Sequence, residues 1–347
     1  MQLSMPLMYS GNPREAADQV SALEAAGLDM VWVAEVYGFD SPTLMGYLAA
    51  KTERVLIGSG ILNIYSRTPS AILQTAAGLD NVSGGRAVLG LGASGPQVIE
   101  GFHGVPYDKP LGRTREIVDL VRRGLRRETL VHDGIFTLPL PAGQGTGLGK
   151  PLKLLSKPER PSIPIWIAAL GQKNVEATAE YADGWLPIFY WPEKASSVWG
   201  DALARGGAKR AKRPDGLSPL EISAGGMLAI GEGPETKALL DFARPHAALY
   251  VGGMGARGKN FYNDLFCQYG YEKEAKEIQD LYLGGNKRDA AAKVPQEWLE
   301  ACNLVGPASY VQERIEAFRE SGVTNLQVAP VADDPAALVA QVKEMVA

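Results

Sequence analysis

The feature that most limits the folds open to this chain is an alternation of strand-like and helix-like segments, repeated eight times along 347 residues. Residues 3–9 read as a strand that ends at Ser10-Gly11-Asn12. Asn12, Pro13 and Glu15 then supply the cap, first helical position and reciprocal cap of a helix. Short apolar runs bounded by turn residues recur at 30–36, 55–62, 87–92, 164–170, 184–190, 221–230 and 325–331. Helical periodicity fills most of the gaps, at about 44–51, from Thr68-Pro69 onward, 111–127, from Gly171 onward, 311–318 and 335–346. Strands separated by helices pair in parallel through right-handed crossovers, which leaves a doubly wound sheet or a closed barrel. Eight repeats point to a TIM-type (β/α)8 barrel, in which functional groups collect at the C-terminal ends of the strands. The pattern fails twice, in a turn-rich stretch at 128–162 and a helical and looped stretch at about 237–307. Both are expected to be insertions in a single domain covering 1–347, and both are expected to line the substrate side.

The composition excludes several classes of function. With 46% hydrophobic and 21% charged residues, this is an ordinary globular chain. A net charge of −4 without a basic stripe argues against nucleic acid. Cys267 and Cys302 are too few for a disulfide framework and lack metal-ligand spacing, while His103, His132 and His246 lie far apart, so no metal is expected. No uncharged apolar run is long enough to span a bilayer, and the N-terminus lacks the pattern of a secretory leader. The expectation is a cytoplasmic enzyme with a small-molecule substrate, assembled as a homodimer or higher homo-oligomer.

Two strand ends carry the chemistry. In Arg86-Ala-Val-Leu-Gly-Leu-Gly-Ala-Ser-Gly-Pro96 the glycines at 90, 92 and 95 have the G-x-G-x-x-G spacing of a dinucleotide site. That reading needs a helix opening at the motif and an acid about 20 positions on; instead Pro96 removes an N–H, and Arg113 and Arg115 stand near the acid's place. The better reading is a strand end whose missing side chains let a flat group lie against backbone; a plain tight turn is the alternative. The fifth strand ends in Ala168-Ala169-Leu170-Gly171 before a helix, presenting backbone N–H groups suited to one phosphate, with Lys173 adding charge. A simple glycine turn is again the alternative.

Val33-Ala34-Glu35, the segments 57–70 and 85–96, and the run from Ala168 to Trp185 together resemble the luciferase-like monooxygenase superfamily, in particular its coenzyme F420-dependent oxidoreductase branch. Segment 57–70 resembles the stretch of methylenetetrahydromethanopterin reductases in which a non-prolyl cis peptide in a third-strand bulge supports the deazaflavin ring. The matching bond here is Gly60–Ile61. The resemblance implies hydride transfer at C5 of the deazaflavin, with Gly171, Gln172 and Lys173 on its phosphate and Gly60, Ile61, Asn63, Gly92, Ala93, Ser94, Ala168 and Ala169 around it. The sugar-phosphate dehydrogenases of the superfamily place a histidine and a glutamate where this chain has Val36 and Gly95, which speaks against their activity. Glu35, Tyr65 and His103 are left as candidates for proton handling, and Glu35 also as an anchor of the cofactor. The expected substrate is a small or moderately apolar carbonyl, alcohol or alkene. An FMN-dependent monooxygenase, or a barrel that binds flavin without turnover, are the competing readings.

Overall fold

A computed structural model describes residues 1–7, 11–213 and 216–347. Eight strands form one closed parallel ring: β1 (Gln2–Leu7), β2 (Met30–Val33), β3 (Leu56–Ser59, resuming at Leu62–Asn63), β4 (Ala87–Gly92), β5 (Ile165–Ala168), β6 (Gly184–Leu186), β7 (Glu221–Ile230) and β8 (Asn325–Pro330). Each pairs with the next, and β8 returns to β1 through Gln2 opposite Asn325 and Leu3 opposite Leu326. The outer ring is α1 (Pro13–Ala25), α2 (Ser41–Lys51), α3 (Pro69–Val82), α4 (Pro110–Leu125), α5 (Gln172–Tyr181), α6 (Pro192–Arg210), α7 (Ala308–Glu320) and α8 (Pro335–Val346). The part of β1 expected at Met8 and Tyr9, with the Ser10 that begins its turn, lies outside the described residues. No helix was expected at α6, where Gly206 and Gly207 near its end dilute the periodicity.

Strand pleating sorts the ring into an inside and an outside. Along β2, Val31 and Val33 join the large core under the helices, while Met30 and Trp32 belong to a small inner core with Val88, Trp166 and Leu186. The Trp32 and Trp166 rings meet edge to face at 5.2 Å. Their bulk is possible because a Cβ at Gly58 would lie 2.5 Å from the Trp32 ring, and one at Gly184 2.1 Å from Trp166. Two tryptophans therefore plug this half of the barrel, and truncating either to alanine is worth about 3–5 kcal/mol. The other half is polar: Ser4, Ser223 and Asn325 are fully buried and satisfy one another, with Ser223 Oγ donating to Asn325 Oδ1 at 2.7 Å.

The same pleat explains the glycine-rich motif. Val88, Gly90 and Gly92 are alternate residues of β4 on the inward face, while Leu89 and Leu91 pack outward. A helix, Pro96–Gly101, does open after the motif, but it has six residues and begins with the N–H-less proline. The spacing is a barrel interior read along one strand.

Candidate functional site

A cavity of about 990 Å³ lies at the C-terminal ends of the strands, and all eight strand ends contribute to its wall, with Trp32 at its floor. Of the residues singled out from the sequence, Gly60, Ile61, Asn63, Gly92, Ala93, Ser94, Ala168, Ala169, Gly171, Gln172 and Lys173 all line it.

The β3 side is shaped by a bulge. Gly58 faces Val88 whereas Leu62 faces Leu91, so four steps along β3 (58 to 62) match three along β4 (88 to 91). The Gly60–Ile61 peptide inside this bulge is cis. Opposite it, a Cβ on Gly92 would come within 2.3 Å of Ile61 Cδ1, so the bulge and the bare β4 end fit together. The backbone is also forced at three strand ends: Val36 after β2, Ser94 after β4 and Phe189 after β6 have φ of 51°, 56° and 57°, and all three line the cavity. An ordinary residue in this left-handed region costs about 1–2 kcal/mol. Such strain is typical of sites where the chain must aim specific groups.

The β5 side is a helix start. Gly171 caps α5 with no side-chain hydrogen bond, so the first N–H groups of the helix lack a capping acceptor. Gln172 is tied back by its Nε2, which donates to the Val198 carbonyl at 2.5 Å. Lys173 is the one formally charged side chain among the described residues of the wall. The rest is apolar or neutral.

The three proton-handling candidates are not on the wall. Glu35 is only 9% exposed, and its carboxylate turns away from the cavity. Its two oxygens accept from the Arg67 guanidinium at 2.8 Å each, and Oε2 also accepts from the Ser41 N–H at 3.0 Å. Glu35, expected to handle a proton or anchor the cofactor, here holds the start of α2 through these contacts. Pleating gives the reason, since Trp32, Ala34 and Val36 face inward and Glu35 falls on the opposite phase. Tyr65 is buried, its hydroxyl donating to the Asp108 carbonyl at 2.8 Å and its ring lying 5.2 Å beneath the Arg113 guanidinium. Burial and the neighbouring Tyr107 push its hydroxyl well above the usual tyrosine range. His103 supports Asn63 from behind. Asn63 Oδ1 accepts from the N–H groups of Tyr65 and Ser66, so its amide NH2 is left to face His103 Nε2 at 3.3 Å, and that nitrogen accepts. Tyr65 and His103, the other expected proton-handling groups, thus brace the β3 loop in this structure.

The insertions divide unequally. The first contributes nothing to the wall: its hairpin, His132–Asp133 with Thr137–Leu138, lies along α4, where Glu116 accepts from the N–H groups of Ile135 and Phe136 and meets His132 Nε2 at 2.9 Å. The expectation that it lines the substrate side is corrected. It connects the C-terminus of α4 to β5, on the barrel face opposite the strand ends, and only its hairpin climbs back. The second insertion follows β7 and roofs the cavity, then returns as a short strand, Leu304–Gly306, paired with the end of β7.

Sequence reasoning missed the roof. A continuous helical run from Pro234 to Gly253, with the residue that follows it, presents Phe242, His246, Tyr250 and Met254 to the cavity. Spacing of four drifts by about 40° per step in an α-helix, but the last turn, Leu249–Gly253, is a π-helix that turns back the other way. Close approach allows that turn, because a Cβ at Gly252 or Gly253 would stand 2.5 Å from Tyr282. The signal available was the fourfold spacing itself. Tyr107, whose hydroxyl donates to the Ser94 carbonyl at 3.3 Å, also lines the wall and carried no signal.

The fold is a (β/α)8 barrel of the enzyme type, with its large cavity at the C-terminal strand ends beneath an inserted roof. Residues 1–325 match the model of the luciferase-like monooxygenase family, and the chain belongs to that family. It is similar to a Mycobacterium tuberculosis protein that carries the provisional name coenzyme F420-dependent oxidoreductase, with 39% identity over 94% of each chain. Among solved structures, the coenzyme F420-dependent tetrahydromethanopterin reductase of Methanopyrus kandleri shares the fold at a TM-score of 0.80, with 20% identity over 99% of this chain and 98% of that one. The oxygenating constituent of 3,6-diketocamphane monooxygenase of Pseudomonas putida, solved with FMN, shares it at 0.67, with 17% identity over 100% and 98%.

Proposed function

We propose that this protein is a coenzyme F420-dependent oxidoreductase acting on a small organic substrate. The observation that carries the reading is the polarity of the cavity: its wall includes an uncapped helix start with Lys173, and the rest is apolar or neutral and bounded by bare strand ends. That fits a flat ring with an anionic tail. Gly171, Gln172 and Lys173 would hold the phosphate through helix N–H groups and one cationic side chain. Gly60, Ile61 and Asn63 would bear on one face of the ring, with Gly92, Ala93 and Ala168 giving it room. When bound, the deazaflavin supplies or takes a hydride at C5. The protein orients the ring, keeps water out with its aromatic roof, and leaves one ring face for substrate. The name of the mycobacterial relative, at 39% identity, supports F420 over FMN.

Spectroscopic titration of the protein with F420 and FMN tests the reading. F420 is expected to bind at least tenfold tighter, a difference of about 1.4 kcal/mol. Equal affinities would refute it.

A further inference from the structure

We infer that the first insertion is a docking surface for an anionic membrane, which it meets through exposed leucines interspersed with lysines. The inference goes beyond the proposed function and does not depend on it.

The surface is anchored where α4 ends. The Leu130 N–H donates to the Leu152 carbonyl at 2.9 Å, and the Arg127 guanidinium donates to the carbonyls of Leu154 and Leu155 at 3.4 Å each. Leu154 packs against the large core, which leaves its neighbour Leu155 outside. Between the hairpin and this anchor, residues 140–153 are all exposed. The loop closes on itself: a Cβ at Gly149 would stand 3.1 Å from the Leu140 carbonyl oxygen, and one at Gly145 3.1 Å from Leu140 Cδ2. Leu140 is thereby brought to Gly149 and to the residues on either side of it, Leu148 and Lys150. Leu140, Leu148, Leu152 and Leu155 are between 49% and 95% exposed. Single exposed leucines are ordinary on a protein surface, but four between positions 140 and 155 of one anchored loop make a patch of the kind that marks an interaction site.

Charge says what covers it. From 134 to 158 the chain carries Lys150, Lys153 and Lys157 and no Asp or Glu, although its net charge as a whole is −4. All three lysines are exposed. The flanking acids Asp133 and Glu159 lie outside the segment, and Glu128 is engaged by Arg123 and Arg126. A second copy of the chain fits this surface poorly, because a two-fold contact sets the patch against itself and brings lysine against lysine. A bilayer with negative headgroups fits it. The leucines enter the boundary between headgroups and acyl chains, while the lysine stems lie along it and place their ammonium groups among the headgroups. The contact is peripheral, since a loop with unpaired backbone N–H and C=O groups does not enter the hydrocarbon core. None of these residues lines the cavity, and the anchor beside the α4 C-terminus is at the far end of the barrel, so a docked bilayer leaves the cavity open.

The full chain is sedimented with vesicles of phosphatidylcholine and with vesicles of an equimolar phosphatidylcholine–phosphatidylglycerol mixture. It is expected to bind the anionic vesicles at least tenfold more tightly than the neutral ones. Release is expected at about 1 M salt, where the screening length falls to about 3 Å. Leu148→Gln, Leu152→Gln and Leu155→Gln combined are expected to weaken binding to the anionic vesicles at least tenfold, and so are Lys150→Gln, Lys153→Gln and Lys157→Gln combined. Every changed side chain is exposed, so Tm is expected to stay within about 2 °C of wild type in both. Lys273→Gln with Lys276→Gln, also exposed but on the second insertion, controls for charge alone and is expected to bind as wild type does. No binding to anionic vesicles, equal binding to neutral ones, or equal binding by wild type and both triple variants would overturn the inference. A wild-type dimer in analytical ultracentrifugation that the leucine variant converts to monomer would also overturn it, and would assign the surface to a second copy of the chain.

Discussion

At the scale of single residues, the site is organised by which side of a strand each residue takes. Glu35 was legible as a strand-end carboxylate, but its phase was also in the sequence: counting by twos from Trp32 reaches Ala34 and Val36 and passes over it. Position along a strand was read; face was not. The consequence is testable. Glu35→Gln removes one partner of a nearly buried pair in which Arg67 is 19% exposed, so a loss of about 2–3 kcal/mol in urea unfolding is expected, less than for a fully buried pair. Turnover per folded molecule is expected to stay within threefold, and a hundredfold loss without destabilisation would restore Glu35 to the chemistry. Gly171 and Gly92 form a second contrast. A Cβ on Gly171 meets nothing within 4 Å and its φ of −67° suits any residue, whereas one on Gly92 meets Ile61. Gly171→Val is therefore expected to weaken F420 binding by at least fivefold with an unchanged Tm, and Gly92→Val to lower both, read by titration and calorimetry.

At the scale of elements, the barrel was legible because its strands and every barrel helix but α6 carry their own period, and the roof was not because its helical run changes type three times within 20 residues. A single-period template loses register at each change. Loop anchors were equally hidden, since they join positions distant in sequence. Glu24, near the end of α1, accepts from the N–H groups of Glu53, Arg54 and Val55 at 2.5–3.2 Å, which holds the turn that feeds β3. Burial alone would raise its pKa, but the three backbone donors outweigh burial and hold it below the usual glutamate value. A group depressed in the folded state stabilises it above the unfolded pKa and ceases to as pH falls through the folded one. Glu24→Gln is thus expected to cost about 1–3 kcal/mol at pH 7, because a neutral amide oxygen accepts more weakly than a carboxylate and the amide NH2 faces the Glu53 N–H that the second oxygen now accepts. The gap to wild type is expected to narrow as pH drops below about 4.5, near the unfolded value, and on through the lower folded one. A gap independent of pH in urea unfolding would show that the carboxylate charge is not what the N–H groups hold.

At the scale of the whole molecule, the two insertions sit at opposite ends of the barrel, and the ends of a (β/α)8 barrel have different duties: strand C-termini carry function, the opposite face carries stability. The second insertion leaves β7 at its C-terminal end and has only the cavity to cover. The first leaves α4 at the other end, so its residues reach the barrel as structure. Arg160 shows this, pairing with the fully buried Asp80 of α3 and donating to the Ala87 carbonyl at 2.7 Å, so the insertion's end is clamped where β4 begins. Its middle is different: residues 142–150 are all exposed, and Leu148 is 84% exposed with nothing packed over it. Loop closure entropy changes slowly with length, about 0.6 kcal/mol per doubling, so shortening this segment alters stability little. Replacing 142–150 with a Gly-Ser link is therefore expected to leave Tm within about 2 °C and F420 affinity within twofold. Arg160→Ala, by contrast, strands the Asp80 carboxylate in the core and is expected to lower stability by about 3 kcal/mol, again without changing affinity in the molecules that remain folded. A change of substrate preference on shortening 142–150 would mean that the lower insertion reaches the cavity after all, by a route its contacts along α4 do not provide.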